Sequence, residues 1–148
     1  MKAAIWIGAF IVLALAFTAW VLYTRSNPDP MKTSPDHTVS VSQLFDAFKQ
    51  DSQTANKQFV EKMIRVKGII KQVDTSGSIV ISDQNQENEI IVAVDPRYHK
   101  ALLSKKPGDT IEAQGILSSY TADIADPDDI LSGLGATIHF HSAAIIKN

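Results

Sequence analysis

Three basic residues are the first candidates for a ligand contact. Arg65, Lys67 and Lys71 share one parity along an otherwise apolar stretch, so all three are expected on one side of a β-strand. A basic stripe of this kind, on the face of a small β-barrel, can follow a phosphate backbone. Single-stranded nucleic acid also needs aromatic rings for base stacking, and the next two predicted strands, 78–82 and 90–94, contain none. The sequence therefore favours a solvated strand and disfavours nucleic acid as a partner.

Two histidines near the end of the chain form the second candidate. His139 and His141 are one residue apart, which places both imidazoles on one face of a strand, where they could contact a metal or a haem. Metal sites gather three or four ligands, and His37 and His99 are far away in sequence. We expect surface histidines, with no metal and no cofactor. Tyr120 completes the set of candidate ligand-binding residues.

Catalytic chemistry finds no support in the motifs. There is no Gly-x-Ser-x-Gly, no His-Glu-x-x-His and no glycine-rich phosphate loop. The acidic residues of segment 123–136 lack the alternating oxygen ligands of a calcium loop, so we expect a solvated acidic loop there. We predict no catalytic residues and no enzymatic activity.

Composition narrows the classes further. The chain has 148 residues, 45% of them hydrophobic, which suits a single soluble domain with one core plus an anchor. Its net charge of -2 lacks the basic excess typical of proteins that bind phosphate backbones. The absence of cysteine excludes a disulfide framework, zinc ribbons and iron–sulfur clusters.

The N-terminal region is predicted to cross a membrane. Ala3–Tyr23 contains no charged residue and would rise roughly 31 Å as a helix, which matches a hydrocarbon core of about 30 Å. The alternative is a cleaved signal peptide, because Ala14-Leu15-Ala16 resembles a cleavage site, but the apolar run continues well beyond it. We predict a signal anchor over 1–25 in a bacterial inner membrane. A short N-terminal tail before the first apolar segment most often stays in the cytoplasm. We therefore predict that the domain lies outside the cytoplasm, in a periplasm or its equivalent.

Two further segments follow the anchor. Residues 26–38 are rich in Ser, Asn, Pro and Asp and predict a proline-containing tether. Residues 39–148 predict the soluble domain. It begins with a helix, since Ser40 and Gln43 are spaced as a capping box before an apolar stripe.

Five strands and a second helix follow in the pattern. Alternation and turn residues predict three strands, a short helix at 98–103, and two more strands; the strand segments are 59–73, 78–82, 90–94, 110–118 and 137–147. Glycines interrupt the first and fourth strands, where a bulge would bend them. This order predicts a mainly β fold, a five-stranded OB barrel with an N-terminal capping helix and a short helix between strands 3 and 4.

A family resemblance covers most of residues 39–147. The pattern Leu44-x-x-x-Phe48, Ala55-Asn56-x-x-Phe59, Ile64-x-Val66-x-Gly68 and Pro107-Gly108-Asp109-x-Ile111-x-x-x-Gly115 resembles the tRNA-anticodon-binding-like OB-fold family of bacterial proteins. The resemblance implies an OB fold, often an N-terminal membrane or export signal, and no catalytic residues. The positions it marks as structural are Val66, Gly68, Gly108, Asp109 and Gly115.

The sequence thus predicts a non-catalytic, membrane-anchored OB-fold binding module of the bacterial envelope. Its expected partner is an envelope protein, a glycan or a small ligand. Two alternatives stay open, a binder of single-stranded nucleic acid and a periplasmic haem or metal carrier. The carrier is similar in architecture to the haem chaperone of cytochrome c maturation, but the His-x-x-x-Tyr attachment motif of that family is absent here.

Overall fold

Strands with alternating buried and exposed side chains form the largest class of element in the described part of the chain. The computed structural model describes residues 14, 17, 28–84, 88–122 and 136–147. The elements in chain order are β1 (His37–Ser40), α1 (Val41–Gln50), α2 (Ser52–Phe59), β2 (Met63–Val73), β3 (Ser78–Ser82), β4 (Glu89–Val94), a 3-10 helix (Pro96–Ser104), β5 (Thr110–Thr121) and β6 (Thr137–Lys147).

Five of the strands close into a barrel. The sheet order is β1-β2-β3-β4-β6-β5, and β2 also pairs with β5, which joins the two edges. Neighbours in the barrel are antiparallel except β4 and β6, which run parallel. The mainly β, five-stranded barrel with a helix before it and a short helix between its third and fourth strands is therefore confirmed.

The barrel interior is filled by branched aliphatic side chains that alternate along each strand. Its largest fully buried members include Ile64, Ile70, Ile79, Ile81, Ile90, Ile111, Leu117 and Ile138. Helix α1 adds the aromatic part of the core. Phe48 stacks on Tyr120 with ring centroids 4.4 Å apart, and Phe45 meets the same ring edge-on.

Helix α1 begins where the capping box predicts. The Ser40 hydroxyl accepts the Gln43 amide at 3.2 Å, and the Gln43 side chain accepts the Ser40 amide at 2.9 Å. These two bonds satisfy amides that the first helical turn leaves without partners. The helix predicted at the start of the soluble domain is confirmed.

Two elements escaped the sequence pattern. Strand β1 has only four residues and pairs in parallel with β2 from His37↔Ile64 to Ser40↔Lys67, too short a run for alternation to be visible. Helix α2 buries only Ala55 and Phe59, so its sequence is mostly polar. Its start is fixed by the Asp51 carboxylate, which accepts two backbone amides as an N-cap.

Of the two predicted glycine bulges, one is present and the other is not. Gly115 lies at a register irregularity of β5 against β6, as expected, and a Cβ there would stand 2.6 Å from that of Ala143. The bulge predicted at Gly68 is not at that residue. Register between β2 and β5 is unbroken there, and β2 shifts against β3 between Ile70 and Gln72 instead. Gly68 is required because a Cβ there would lie 2.8 Å from the Val41 side chain. The glycine therefore allows the first residue of helix α1 to pack closely against β2.

The predicted turn after the 3-10 helix is present. Gly108 has φ of +94°, a conformation that favours glycine, and the Asp109 carboxylate accepts the Lys106 amide at 2.9 Å. The Gly108 amide and the Asp109 carbonyl both bond to Ile70 of β2, which fixes the turn on the barrel.

The N-terminal predictions meet the structure only in part. The predicted anchor, 1–25, lies outside the described residues except for Ala14 and Phe17, which are helical. Among the described residues, no helix has the length and apolar character needed to cross a bilayer. The predicted tether, 26–38, differs in two respects. His37 and Thr38 already belong to β1, and residues 28–36 lie against the barrel.

Candidate binding faces of the barrel

One outer face of the barrel is occupied by the chain itself. We call it the covered face: the outside of β2 and β5 beneath residues 28–36. At its centre Gln114 is 1% exposed, although it points outward from β5. Its amide nitrogen donates to the carbonyls of Pro30 at 2.7 Å and Thr33 at 2.6 Å. Its amide oxygen accepts both Nε and a terminal nitrogen of Arg65, at 2.9 and 2.8 Å. The side chain thus uses its full hydrogen-bonding capacity.

A second contact holds the start of segment 28–36. The Asp29 carboxylate accepts the Tyr98 hydroxyl at 2.5 Å and the Met31 amide at 3.0 Å. Arg97 and Lys32 form ion pairs with it at 3.7 and 3.5 Å. The hydrogen bond from Tyr98, with help from these neighbours, lowers the pKa of Asp29 below its usual value. The same bond raises the pKa of Tyr98.

The 3-10 helix that supplies Tyr98 is itself fixed by an acid–base pair. The Asp95 carboxylate accepts Nε and a terminal nitrogen of Arg97 at 2.8 and 2.7 Å, a two-point contact of the strong kind. The hydrogen bonds from Arg97 lower the pKa of Asp95 to about 2. Arg97 thus joins the cap of the 3-10 helix to Asp29 of the N-terminal segment.

The end of segment 28–36 joins β2 directly. The Asp36 amide donates to the Met63 carbonyl at 2.7 Å, and the Asp36 carboxylate accepts the Met63 amide at 2.9 Å. Three separate sets of bonds therefore attach the segment along its length.

The predicted basic stripe is divided by these contacts. Arg65 is half-buried against Gln114, and Lys71 forms an ion pair with Glu89 across β2 and the start of β4. Lys67 is exposed and has no hydrogen-bond or ion-pair partner in the part of the chain that the structure describes. It lines a groove of about 390 Å³ beside the first turn of α1, together with Ser42 and other residues. The stripe offers one unengaged cation, not three.

The opposite outer face is uncovered by any described element. We call it the open face: the outward residues of β3, β4 and β6, namely Ser78, Val80, Ile91, Ala93, His139 and His141. Register places Val80 beside Ile91, and Ile91 beside His139, in one row across three strands. Ser78 and Ala93 form the next row. Apart from Ser78 and the two histidines, the side chains of the open face are aliphatic.

The two candidate histidines lie at the edge of this face. Their neighbours Ile138 and Phe140 are buried in the core, so His139 and His141 point outward as predicted, each partly exposed. His139 pairs with Ile91 and with Ser119, and neither ring nitrogen has an acidic partner among the described residues. Within the same residues no three His, Cys, Asp or Glu side chains gather as a metal site would require.

Tyr120 does not join the other candidates. Its ring lies between β5 and α1, stacked on Phe48, and burial raises the pKa of its hydroxyl. The structure therefore brings His139 and His141 together on the open face, leaves Lys67 at the α1 groove, and places Arg65 on the covered face.

The sequence matches a known family model over most of its length. The model named tRNA_anti-like matches residues 1–125. The chain belongs to the tRNA_anti-like family. No curated protein matches the sequence.

Three solved structures are similar to this chain at low sequence identity. One is a "putative nucleic acid-binding lipoprotein" from Klebsiella pneumoniae, with a TM-score of 0.50 and 14% identity over 74% of this chain and 91% of that one. Aspartyl-tRNA synthetases from Leishmania major and Entamoeba histolytica have TM-scores of 0.43, with 11% and 15% identity. Those two matches cover 84% and 83% of this chain, but only 22% and 23% of the synthetases. At these identities the similarity concerns the fold alone.

Sequence reasoning missed the residues that fasten the tRNA_anti-like barrel to its N-terminal segment. Gln114 occupies an outward position of an alternating strand, which indicates exposure to solvent, and Asp29 and Tyr98 are 69 residues apart. No local pattern connects them. The three prolines of the segment signal stiffness but do not indicate the surface on which the segment lies.

Proposed function

We propose that this tRNA_anti-like protein is a non-catalytic binding module, held at the outer face of a bacterial inner membrane by its N-terminal segment. Its open face takes an envelope protein as partner. The observation that carries the proposal is the contrast between the faces: the covered face is filled by the chain itself, while Val80, Ile91 and Ala93 form an aliphatic surface with no described element over it.

The chemistry of the open face suits a protein better than an oligonucleotide. A base-binding OB face offers aromatic rings for stacking, and β3 and β4 contain none. Small apolar and aliphatic side chains framed by imidazoles resemble the desolvated centre and polar rim of a protein interface.

The charge of the C-terminal part of the sequence supports the same conclusion. From Pro107 to Ile146 the chain has no Lys or Arg, whereas it has Asp109, Glu112 and four aspartates between 123 and 129. Strand β6, which contributes His139 and His141 to the open face, belongs to this stretch. A stretch with acidic residues and no basic ones does not attract a phosphate backbone.

A single-stranded nucleic acid is the second candidate. The Klebsiella pneumoniae lipoprotein is described as nucleic acid-binding, and Lys67 offers one unengaged cation beside the groove at α1. This alternative predicts oligonucleotide binding that weakens with salt and with loss of Lys67. A fluorescent oligothymidylate titrated against wild type, Lys67→Gln and the exposed control Lys49→Gln measures it. Selective weakening by Lys67→Gln would support nucleic acid.

The main proposal is tested by photo-crosslinking in living cells. A benzophenone amino acid replaces exposed Ala93 on the open face of the full-length protein, and the control replaces exposed Lys57 on α2. We expect discrete adducts from position 93 that protease destroys and nuclease leaves intact, and none from position 57.

Other outcomes of the same experiment would contradict the proposal. Nuclease-sensitive adducts from position 93 would favour nucleic acid. Equal adduct patterns from both positions would show that the open face is not a specific site. Membrane attachment is checked separately, by flotation of the full-length protein with membranes after alkaline washing.

A further inference from the structure

The N-terminal segment enters the barrel at the 3-10 helix. Asp29 bonds to Tyr98 and pairs with Arg97, so the first residue of the continuous described chain, Pro28, lies at that end. The uncharged apolar run of the predicted anchor ends at Tyr23, five residues earlier. Five residues span at most about 17 Å when fully extended. Because segment 28–36 is bonded to the barrel, an anchored chain keeps the 3-10 helix close to the lipid surface.

The same end of the barrel exposes hydrophobic side chains. Leu103, in the 3-10 helix, is 88% exposed, and Met31, two residues after Asp29, is 49% exposed. Within segments 28–84, 88–122 and 136–147 these are the two exposed large hydrophobic residues. Both belong to the elements that meet at Asp29 and Tyr98.

Basic side chains surround these hydrophobic residues in sequence. Between positions 96 and 106 the chain has four cationic residues and no acidic one; they are Arg97, Lys100, Lys105 and Lys106. Lys32 adds a side chain that is 84% exposed on the neighbouring segment. Arg97 is engaged by Asp95 and Asp29, whereas Lys100 and Lys106 are exposed. An exposed leucine among lysines is the composition of a surface that lies on anionic headgroups.

The 3-10 helix lies at one end of the barrel. Strand β4 runs from the β3–β4 loop to the 3-10 helix, and β6 is parallel to it. Strand β5 therefore ends, and β6 begins, at the end of the barrel away from the 3-10 helix. The strands of the barrel thus distinguish the end that meets Pro28 from the opposite end.

We infer that the 3-10 helix end of the barrel rests on the membrane that holds the anchor, with Leu103 at the boundary of the acyl chains and Lys100 and Lys106 against anionic phospholipid headgroups. This inference rests on the proposed membrane attachment and adds an orientation to it. The open face then stands roughly along the membrane normal, accessible from the side, because its strands run away from the 3-10 helix.

The test uses the full-length protein in lipid vesicles, and the absence of native cysteine makes labelling specific. Leu103→Cys receives an environment-sensitive fluorophore, and Gln50→Cys, exposed at the end of α1, is the matched control. Vesicles contain phosphatidylcholine, with or without an equal share of phosphatidylglycerol, and a quencher attached near the top of the acyl chains. We expect a shift of emission to shorter wavelength and strong quenching for the label at 103, and an aqueous signal for the label at 50.

Charge reversal provides the second measurement. Lys100→Glu together with Lys106→Glu alters only exposed side chains, so folding is expected to persist. Each lysine near an anionic surface contributes a factor of about five in binding, so the double variant is expected to lose most of the quenching at 103 in vesicles with phosphatidylglycerol.

The possible outcomes distinguish the proposed orientation from the proposed membrane attachment. Failure of the protein to float with vesicles would overturn both the membrane attachment and the orientation. Flotation with an aqueous signal from both labels would leave the attachment intact and overturn the contact at Leu103. Quenching at 103 that is the same with and without phosphatidylglycerol, and the same in the double variant, would overturn the role of the lysines.

Discussion

The two outer faces of this barrel are built from similar strands, yet one is closed by the chain and the other is left open. On the covered face Gln114, an amide that could have faced water, is buried with all its hydrogen bonds made. On the open face Ile91 is partly exposed and Ala93 is exposed, and no described element covers them. A buried polar side chain with every bond satisfied serves the fold, whereas apolar side chains left in water are available to a partner.

The largest expected effect comes from breaking the covered face at its centre. Gln114→Leu leaves the carbonyls of Pro30 and Thr33 and the Arg65 guanidinium without their partner. We expect the free energy of unfolding to fall by about 2–3 kcal/mol, because lost bonds to buried groups cost this much. Urea unfolding measures it. Gln72→Leu, at an exposed position of β2, is the control and is expected to change stability by less than about 0.5 kcal/mol. Equal losses for the two variants would refute the special role of Gln114.

Ala93→Arg tests the open face in the converse way. The side chain is exposed, so we expect the unfolding midpoint to stay within the error of wild type. A long cation at the centre of an apolar interface should lower partner capture at least about tenfold, which corresponds to about 1.4 kcal/mol. Crosslinking from a benzophenone at Ile91 in the Ala93→Arg background measures this loss. Unchanged capture would remove the open face from the proposal.

Acid should loosen the covered face before it affects the open one. The folded state lowers the pKa of Asp29, so this carboxylate stabilises the docked segment above its ordinary pKa of 3.8. That contribution is lost as pH falls through the lowered folded value. The pKa of Asp95 is lowered to about 2, so the contribution of this carboxylate is also lost as the pH falls. We expect proteolysis within segment 28–36 to increase as the pH falls below 3.8, using a protease active in acid.

The control for this pH effect is Asp29→Asn. It removes the titrating group while keeping a side chain of the same size, so the segment should be cleaved more readily at neutral pH and with less dependence on acid. A variant that keeps the wild-type pH profile would assign the effect to another carboxylate.

The smallest expected effect concerns the basic residues of β2. Lys71→Ala removes the exposed ion pair with Glu89 and should lower the free energy of unfolding by about 0.5 kcal/mol at low salt, and by less at high salt. Lys67→Ala, which removes no such partner, should leave it unchanged. A larger loss from Lys67→Ala would indicate that this lysine is engaged.

Much of the fold followed from local pattern. The capping box at Ser40, the alternation along the strands and the Gly108 turn are all signals within a few residues, and each predicted its element. The predicted bulge at Gly68 was wrong. A glycine in a strand indicates either a bulge or a close approach of another group, and here it is the close approach of Val41.

The candidate site was less predictable, because its character depends on contacts between distant parts of the chain. Arg65 and Lys71 look like ligand cations in sequence, but their partners, Gln114 and Glu89, are 49 and 18 residues away. Tyr120 looks like an exposed aromatic ring until α1 is placed over it. Only His139 and His141, whose shared face follows from strand period, could be placed correctly without the structure.

The most direct test of the difference between the faces is hydrogen exchange of the N-terminal segment in the full-length protein. The amides of Lys32 and Thr33 donate to the Asp29 carbonyl, and the Asp36 amide donates to Met63. If segment 28–36 is part of the barrel, these three amides should exchange at least about a hundredfold more slowly than in an unfolded peptide. Gln114→Leu should release them. Exchange at peptide rates in the wild type would mean that the segment is a free tether and that both faces are open.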